Sequence, residues 1–368
     1  MTSEDRRQAR YLRRRHKRYL RKRQQTRRYN IYQEVFSYGH LYLSYKMSRR
    51  NVSWKSSVQK YISNAPLFVY ETWRKLMNYR WQSDGFYEFD IFERGKKRHI
   101  RSVTIDERVV QRCLCDYSLV PMLKRTFIYD NAASLKNRGY HFAIKRLCAH
   151  LCKHFRKYGN SGYILLYDFK KFFDNISHEV CKRILKKEYS DEHIIEIVEY
   201  CIDAFGDIGL GLGSQISQIF ALSVANRLDH FIKEIGRFNG YGRYMDDGYV
   251  ICDSKERLKK LLDDIRHVCA MLGITLNERK THIVKISHGF TFLKARIFLT
   301  ETGRIIKKMP RYSITKERRK LKKLKHMLED GIISYSDYNA SFQSWLAYAK
   351  NFDSWNTIQS MTHCFMHI

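Results

Sequence analysis

Three aspartates follow or interrupt short apolar stretches of the chain, and their positions suit metal-dependent chemistry. Asp168 ends the apolar run 163–167, and Asp246 and Asp247 form an acidic turn between two short strand-forming runs. Carboxylates gathered from separate strands are costly to bury unless cations neutralise them. Two Mg²⁺ ions roughly 3.5–4 Å apart, or Mn²⁺ in their place, prefer oxygen ligands and promote phosphoryl transfer. Alone, however, an Asp-Asp pair is more typical of a solvated hairpin turn.

The elements around these aspartates alternate between helical and strand-like patterns without a regular β-α-β rhythm, which predicts an α+β fold. Apolar spacing predicts helices through most of residues 31–82 and over 107–123, 140–158, 177–187, 191–205, 215–235 and 255–272. Strands are predicted over 163–167, on both sides of the acidic turn, in a basic hairpin (86–92 and 99–103, turning at Gly95) and in a second hairpin (291–299 and 304–308). A glycine-rich loop over 206–213 precedes the predicted helix over 215–235.

The charge of the chain predicts a polyanionic partner. Its 368 residues carry a formal charge of +32, which is too basic for an ordinary metabolic enzyme, and 44% of them are apolar, enough for a sizeable core. The sequence has neither an apolar run long enough to span a membrane nor the apolar segment of a secretory signal, so we expect a soluble, cytoplasmic protein with no membrane partner. The nine scattered cysteines are expected to be reduced thiols.

The positive charge is concentrated in two segments. Residues 1–28 contain 13 Lys or Arg, and residues 304–325 contain 11. Aromatic residues lie among them, so the first segment could neutralise phosphates and stack on unpaired bases. A solvated charged helix or tail explains it equally well. The candidate RNA-binding residues are Arg13, Arg14, Arg15, Lys17, Arg18, Arg318 and Arg319.

Five blocks of sequence give these features a family context. Tyr244-Met-Asp-Asp247 resembles the catalytic motif of reverse transcriptases, and four further blocks follow that family's order between about residue 94 and residue 350. These four are Tyr167–Phe173, Gly213–Gln218, Leu276–Thr281 and Phe292-Leu293. The resemblance implies a right-hand polymerase fold with fingers, a palm built on an antiparallel sheet, and a helical thumb.

The resemblance also implies a division of the chain. The expected parts are a basic N-terminal RNA-binding extension (1–30), fingers with part of the palm (31–162), a palm with the catalytic site (163–303) and a helical thumb (304–368). The change to basic composition near residue 304 supports the last of these boundaries.

Residue by residue, the resemblance implies roles in catalysis. Asp168, Asp246 and Asp247, helped by the carbonyl of Phe169, would bind the two metal ions. Lys280 would protonate or neutralise the leaving pyrophosphate, although its type alone fits an ordinary solvated lysine. The primer grip would comprise Phe292, Leu293 and Lys294, of which the last replaces the usual glycine.

A nucleotide site is implied as well. Phe173 lies where the family has an aromatic gate that collides with a ribose 2′-hydroxyl, while Phe172 is the better candidate for the core. Arg98, helped by Lys96 or Lys97, would clamp the triphosphate. The remaining members of this site would be Leu212, Gly213 and Gln218.

Two of these residues depart from the common family pattern. Leu212 stands where most members have glutamine before the motif glycine, and Gln218 follows Ser217 where most have proline. This variant resembles the reverse transcriptases of bacterial and phage diversity-generating retroelements, whose copying is error-prone at template adenines. Apolar Leu212 would remove a hydrogen bond near the nascent pair. Related domesticated enzymes, including anti-phage defence reverse transcriptases, share this signature.

The sequence therefore predicts an RNA-directed DNA polymerase that uses deoxynucleoside triphosphates to copy a cognate structured non-coding RNA. It would hold an RNA–DNA duplex and could associate with a small basic accessory protein or with itself. A role in a diversity-generating retroelement is expected, with phage defence as the alternative. A catalytically silent RNA-binding scaffold and an RNA polymerase remain open as alternatives from other classes.

Overall fold

The computed structural model describes residues 2–93 and 96–367 and divides the chain into two compact units. The first unit contains Met1–Tyr129, Lys170–His230 and Val268–Thr275. The second contains Asp130–Phe169, Phe231–His267 and Leu276–Ile368. The sequence-based division into extension, fingers, palm and thumb stays a prediction.

The helices, in chain order, are α1 (Ser3–Thr26), α2 (Tyr32–Val35), α3 (Tyr38–Ser48), α4 (Ser56–Ser63), α5 (Ala65–Met77), α6 (Ile105–Leu114), α7 (Val120–Leu123), α8 (Tyr140–Tyr158), α9 (His178–Glu188), α10 (Glu192–Asp203), α11 (Gln215–His230), α12 (Lys255–Met271), α13 (Arg311–Glu329), α14 (Tyr335–Ala349) and α15 (Trp355–His367). The strands are β1 (Tyr87–Glu93), β2 (Lys96–Ser102), β3 (Tyr163–Tyr167), β4 (Tyr241–Tyr244), β5 (Asp247–Cys252), β6 (His282–Lys285), β7 (Phe290–Phe292), β8 (Ala295–Leu299) and β9 (Ile305–Lys308). The mixture of helices and antiparallel strands confirms the predicted α+β class.

Local signals in the sequence explain where several helices begin. The Thr2 hydroxyl accepts from the amide of Asp5, whose carboxylate accepts in turn from the amide of Thr2, so α1 starts with a capping box. Thr104 caps α6, and the carboxylate of Asp191 accepts from the first amides of α10. These contacts satisfy amides that have no partner within the helix.

The second unit is built on a four-stranded antiparallel sheet in the order β4-β5-β3-β6. Strand β3 is apolar along its whole length and buried, as expected for a central strand with both faces covered. Helix α8 and the C-terminal helices share one core with this sheet, which includes Leu166, Tyr249, Phe292 and Trp345. The core thus anchors the strands that end at the three aspartates.

A three-stranded antiparallel sheet, β7-β8-β9, differs from the predicted second hairpin. The single strand expected over 291–299 is two strands, because the chain reverses at Leu293 and Lys294 between the paired residues Phe292 and Ala295. Both turn residues have positive φ, 46° and 66°, as in the turns that match the twist of a hairpin. The sequence hid this turn because it contains no glycine or asparagine.

In the first unit, β1 and β2 form the predicted basic hairpin, whose turn at Gly95 lies outside the described residues. Helices α2 to α5 confirm the prediction for residues 31–82. The predicted helix over 107–123 is confirmed with a π-helical turn at Cys115–Leu119 between α6 and α7, and that over 215–235 ends in another at Phe231–Ile235. The remaining predicted helices agree with α8, α9, α10 and α12 to within a few residues.

The cysteines are all free, and most of them are buried. Burial raises the pKa of the Cys181 and Cys269 thiols to about 12, which keeps them protonated and unreactive. This outcome confirms the prediction of reduced thiols. Among the described helices, none is both long and apolar enough to cross a lipid bilayer.

Candidate active site

The pairing of β3, β4 and β5 brings the three aspartates together. Tyr167 pairs with Gly248 across β3 and β5, so the next residues along, Asp168 and Asp247, lie side by side at the same end of the sheet. Asp246 occupies the two-residue turn that connects β4 to β5. All three belong to the second unit. The prediction that these carboxylates converge from separate strands agrees with this register.

A glycine next to the aspartates permits close packing beneath them. A Cβ atom on Gly248 would lie only 2.2 Å from the ring of Tyr167. The hydroxyl of that ring lies 2.8 Å from the hydroxyl of Tyr241 on β4, so the two tyrosines connect the outer strand to the central one. Only glycine leaves room for this ring directly after Asp247.

Asp168 is buried and is contacted by the segment that the sequence associated with pyrophosphate. The Lys280 Nζ lies 2.6 Å from one carboxylate oxygen of Asp168, and the Asn277 Nδ2 donates to the other at 3.3 Å. The backbone amide of Asn277 also donates to the Asp168 carbonyl at 2.8 Å. Asn277 belongs to the block Leu276–Thr281 but was given no role of its own from the sequence, and the structure gives it a direct contact with the cluster.

The electrostatics of the cluster are those of crowded negative charge. Burial, together with repulsion from Asp168, raises the pKa of Asp246 above its usual range. Burial, then the charges of Asp246 and Asp168, raise the pKa of Asp247 to about 7. Partial burial works against the charge on Lys280, but its hydrogen bond to Asp168 and the other two carboxylates raise the pKa of the ammonium. The cluster therefore attracts cations.

These residues fit divalent metal ions by their chemistry. Among the described residues, however, no group of three or more His, Cys, Asp or Glu side chains is arranged so that it could hold a metal ion. The ammonium of Lys280 lies instead against Asp168 and partly neutralises the cluster. Carboxylate and carbonyl oxygens are the ligands that Mg²⁺ prefers. Phe169, whose carbonyl was predicted to help, is buried and pairs through its backbone with Leu276.

A buried arginine that the sequence analysis did not single out holds the turn between β4 and β5. Arg243 is only 1% exposed, and its guanidinium donates to the carbonyl of Met245 at 2.6 Å. Met245 has φ of 55°, a left-handed conformation that is costly for a residue other than glycine. The hydrogen bond from Arg243 offsets part of that cost and fixes the peptide before Asp246. A charged residue inside a short apolar strand was the one signal available in the sequence.

A buried polar network supports the same strands from behind. The carboxylate of Asp130 receives hydrogen bonds from Arg146 and Lys233, and His150 bridges toward the hydroxyl of Tyr249 at 2.9 Å. Burial alone would raise the pKa of Asp130, but the two cations lower it. Because its members are up to 119 residues apart in sequence, from Asp130 to Tyr249, no local pattern could reveal this network.

The predicted primer-grip residues surround the turn between β7 and β8. Phe292 is buried and its ring meets that of Tyr249 edge-on at 5.1 Å. Leu293 and Lys294 form the turn itself, and Lys294 is exposed. Tyr249 lies two residues after Asp247 on β5, so this turn packs on the same core as the strand that begins at Asp247.

Phe173 and the glycine-rich loop are neighbours within the first unit. Phe172 is buried, as predicted for a core residue, and Phe173 is half-buried; they lie in a turn and a short 3₁₀ segment, not in a strand. The amide of Leu210 donates to the carbonyl of Phe173 at 2.8 Å. This contact places Phe173, the proposed gate, next to the loop that precedes Gly213.

The other predicted nucleotide-site residues also lie in the first unit. Gly213 has φ of 110°, and a Cβ there would press on the carbonyl of Arg101 in β2 at 3.3 Å. Leu212 beside it is half-buried, and Gln218 is exposed on α11. Arg98 is an exposed residue of β2, whereas the side chain of Lys96 lies outside the described part of the chain. The loop and the basic hairpin are thus in contact.

The basic candidates are at the surface wherever their side chains are described. Arg13, Arg14 and Lys17 are exposed on α1, and Arg318 and Arg319 are exposed on α13. The side chains of Arg15 and Arg18 lie outside the described part of the chain. Exposed cations on two long helices are compatible with phosphate contacts.

The chain is similar to known proteins in sequence and in structure. A family profile described as reverse transcriptase (RNA-dependent DNA polymerase) matches residues 90–297. Apo telomerase from Candida tropicalis is similar in structure, with 17% identity, coverage of 61% of this chain and 49% of that chain, and a TM-score of 0.47. Telomerase from Candida albicans in complex with a TWJ fragment of telomeric RNA gives 13% identity, coverage of 62% and 46%, and a TM-score of 0.47. The chain spans about half the length of these telomerase chains. No curated protein matches it.

Proposed function

Because the chain belongs to the reverse transcriptase family, whose profile covers more than half of it, we propose that it extends a primer 3′-hydroxyl with deoxynucleotides on an RNA template. Its fold is that of a right-hand polymerase, with an antiparallel sheet that carries the acidic turn. The observation that carries the proposal is the meeting of Asp168, Asp246 and Asp247 with Lys280 in one unit. The mutual repulsion that raises the pKa of Asp246 and Asp247 is a cost that a purely structural role gives no reason to keep.

In the proposed reaction, Asp168, Asp246, Asp247 and the Phe169 carbonyl would hold two Mg²⁺ ions. Bound there, the ions would supply activation of the attacking hydroxyl and stabilisation of the leaving oxygen. Asn277 and the β3 backbone orient Asp168, while Arg243 orients the turn that carries Asp246. Lys280 keeps its proton because its pKa is raised, so its positive charge would neutralise the leaving pyrophosphate and donate a hydrogen bond to it.

Selection of the nucleotide is proposed for the first unit. The ring of Phe173 would exclude a ribose 2′-hydroxyl, and Arg98, with Lys96, would bind the triphosphate. Leu212, Gly213 and Gln218 would lie against the template base and the incoming nucleotide. The left-handed conformation of Gly213 and its contact with β2 support a loop that no larger residue could form.

Binding of the nucleic acid is proposed for the turn between β7 and β8 and for two basic helices. Phe292, Leu293 and Lys294 would position the primer strand. Arg318 and Arg319 on α13 would contact the backbone of the RNA–DNA duplex, and α1 would contact the structured RNA. Exposed positive charge on both helices supports these assignments.

For the biological role, we propose error-prone copying of a structured RNA in a bacterial or phage diversity-generating retroelement, in the cytoplasm, with a small basic accessory protein or self-association. Leu212 and Gln218 are the residues that favour this role. The same two residues fit a phage-defence enzyme that copies a partner non-coding RNA. The genes beside the coding sequence distinguish the roles, because a variable-repeat and template-repeat pair indicates diversification and an isolated non-coding RNA indicates defence.

Primer extension on an RNA template tests the polymerase proposal. We expect the unmodified protein to incorporate deoxynucleotides and to use few ribonucleotides. The Asp246→Ala plus Asp247→Ala variant should incorporate neither. The exposed Asp330→Asn variant is the matched control and should retain full activity. Equal incorporation by the double variant would reject the proposed site. No incorporation by the unmodified protein, with RNA binding intact, would instead indicate a silent scaffold.

The same assay tests the proposed gate. Replacement of Phe173 by alanine should increase the use of ribonucleotides relative to deoxynucleotides, because the ring no longer opposes the 2′-hydroxyl. Efficient ribonucleotide use by the unmodified protein would contradict this assignment and would indicate an RNA polymerase.

A further inference from the structure

A cleft in the first unit has aromatic walls and takes no part in the proposed polymerase chemistry. It lies between the start of α2, the segment that follows α5, and one face of α10, and its volume is about 240 Å³. That is below the roughly 300–1,000 Å³ typical of pockets for drug-sized ligands, so it suits a single ring system. The residues that define it are Tyr32, Tyr79, Trp81, His193, Glu196 and Tyr200.

The aromatic rings of this cleft are held in place by one another. Tyr79 stacks on His193 with ring centroids 3.9 Å apart, and the ring of Tyr32 lies 5.4 Å from that of Tyr79. On the opposite side, Trp81 meets Tyr200 edge-on at 6.1 Å. Rings that are already oriented lose little freedom when a planar ligand binds.

Hydrogen bonds fix the tyrosine hydroxyls as well. The Tyr32 hydroxyl donates to the Leu76 carbonyl at 3.2 Å, and the side-chain amide of Gln33 donates to the Tyr79 hydroxyl at 3.2 Å. The backbone amide of Ser83 donates to the Tyr200 hydroxyl at the same distance. The three hydroxyls are therefore engaged and the rings are held in fixed orientations, with one face of Tyr79 covered by His193.

Tyr79 occupies a position that helices usually give to glycine. It is the second residue after α5, its φ is 54°, and it is 51% exposed. The amide of Tyr79 donates to Leu76 and that of Arg80 donates to Lys75, so the helix ends in a left-handed cap. A large, half-exposed aromatic side chain in this conformation is a local cost, and such costs concentrate at binding sites.

The polar edge of the cleft accepts hydrogen bonds. Glu196 is exposed at the rim, 3.3 Å from His193. Asp191, by contrast, is committed to the first amides of α10 and to the amide of Tyr32. A carboxylate accepts only, so it selects a ring with neighbouring N–H donors. Among the nucleobases, guanine presents two such donors together, at N1 and at its exocyclic amino group.

Positive charge adjoins the cleft where a nucleic-acid backbone would continue. Arg80 directly follows Tyr79 and is exposed, and Arg27 and Arg28 are exposed at the end of α1, shortly before Tyr32. Unpaired RNA bases are commonly bound by stacking on aromatic side chains while cations contact the phosphates. Aromatic walls, an acceptor at the rim and cations outside it match this mode of binding.

We propose that this cleft binds one unpaired guanine of an RNA, stacked on Tyr79 and Trp81 and hydrogen-bonded to Glu196. The site is separate from the aspartate cluster and would anchor the RNA independently of nucleotide addition. It rests on the proposed function only in taking RNA as the partner. Because the test below measures binding without polymerisation, its failure is distinguishable from failure of primer extension.

The test compares oligouridine nine-mers whose central residue is guanosine, adenosine or an abasic site. Fluorescence anisotropy with the full chain at a fixed salt concentration gives their relative affinities, and the phosphate contribution cancels in the ratio. We expect the guanosine probe to bind about tenfold tighter than the abasic probe, which is within the range that stacking of one base supplies. Tyr79→Ala should bring this ratio close to one, and Glu196→Gln should remove the preference for guanosine over adenosine.

Two controls keep the result interpretable. Tyr79→Phe preserves the ring and should preserve the ratio, and Trp54→Ala removes an even more exposed aromatic residue outside the cleft and should have no effect. A ratio near one for the unmodified protein, or a tenfold ratio that survives Tyr79→Ala, overturns the proposal. A ratio near one together with a Tyr79-dependent fluorescence change on adding tetramethylammonium would assign the cleft to a cation instead, and would also overturn it.

Discussion

The guanidinium of Arg243 holds the peptide group that precedes Asp246, and its charge opposes the rise in the pKa of the Asp246 carboxyl. It is buried and donates to a carbonyl that Met245 holds in a left-handed conformation. A methionine or leucine at position 243 could fill the same volume without making that bond. The geometry of the acidic turn therefore depends in part on this hydrogen bond.

Replacement of Arg243 tests this positioning role. In the Arg243→Met variant we expect the rate of nucleotide addition to fall about 10- to 100-fold, since small misplacements of reacting groups carry costs of that order. The KM for deoxynucleotides should change less than kcat, because the variant leaves the first unit unaltered. Steady-state primer extension measures both, with the exposed Arg304→Met as control. An unchanged kcat in a folded Arg243→Met protein would contradict the role.

His150 makes the stability of the second unit depend on pH. Burial lowers its pKa to about 4, with Lys233, Arg146 and Lys153 adding to the effect and Asp130 opposing it. Between pH 6.5 and 4 the unfolded chain takes up a proton that the folded protein does not. The contribution of His150 to the free energy of unfolding should therefore fall as the pH falls through this window, by about 3 kcal/mol in total, while the raised pKa of Asp247 contributes with the opposite sign and is the same in the variants compared below.

Denaturant unfolding at pH 7.5 and pH 5 checks this dependence. His150→Gln should lose less stability between the two pH values than the unmodified protein does. Replacement of the exposed His282 by glutamine serves as the comparison and should leave the difference intact. If the pH dependence is the same in all three proteins, His150 is not its source.

At the scale of elements, the turn between β7 and β8 contains stored strain. Leu293 and Lys294 both have positive φ, and neither is a residue that adopts it readily. Glycine at the second position is the usual solution for such a turn. The strain is tolerated because Phe292 and Ala295 on either side are buried in the core.

We expect Lys294→Gly to stabilise the protein by about 0.5–1 kcal/mol, because relief of the left-handed strain exceeds the entropy cost of glycine. The same substitution at Lys308, an exposed residue of β9 in extended conformation, should destabilise it by a similar amount. Thermal unfolding of both variants measures the difference. A loss of stability in both would show that position 294 carries no strain.

The basic composition of helix α1 fits a solvated charged helix and an RNA-binding helix equally well. If it contacts RNA, Arg13→Gln plus Arg14→Gln should weaken binding of a structured RNA and reduce the slope of log affinity against log salt by about 1.5. Filter binding at several salt concentrations gives this slope. The exposed pair Lys259→Gln plus Lys260→Gln on α12 removes the same charge elsewhere. Equal effects of the two pairs would indicate a general charge effect rather than a contact through α1.

Elements with strong periodicity were predictable from the sequence, and interruptions without glycine or proline were not. Strand β3 and helix α8 follow directly from an apolar run and from helical spacing. The π-helical turn at Phe231–Ile235 leaves the apolar pattern almost unchanged, so the sequence offers little sign of it, whereas Pro121 shortly after the turn at Cys115–Leu119 marks that interruption. The reversal at Leu293 was hidden for the same reason, since the register that forces it is set by packing.

At the scale of the molecule, the three aspartates could be placed together because each follows or interrupts a predicted strand and because the blocks resemble one family in order. The residues that hold the aspartates in place could not be predicted. Asp130 and Tyr249 meet through tertiary contacts across more than a hundred residues, and the burial of Arg243 depends on the same packing. The chain also distributes its predicted residues between two units, with the aspartates in the second and the gate and loop in the first.

The central claim is that the three carboxylates act together in nucleotidyl transfer. Single-turnover addition of one deoxynucleotide to a primer on an RNA template, measured across a range of Mg²⁺ concentrations, tests it most directly. Asp168→Asn, Asp246→Asn and Asp247→Asn should each lower the maximal rate by about a thousandfold or more, since loss of one metal ligand removes several kcal/mol of transition-state stabilisation. Asp330→Asn should match the unmodified protein. A variant of any of the three aspartates that keeps the unmodified rate and Mg²⁺ dependence would contradict the claim.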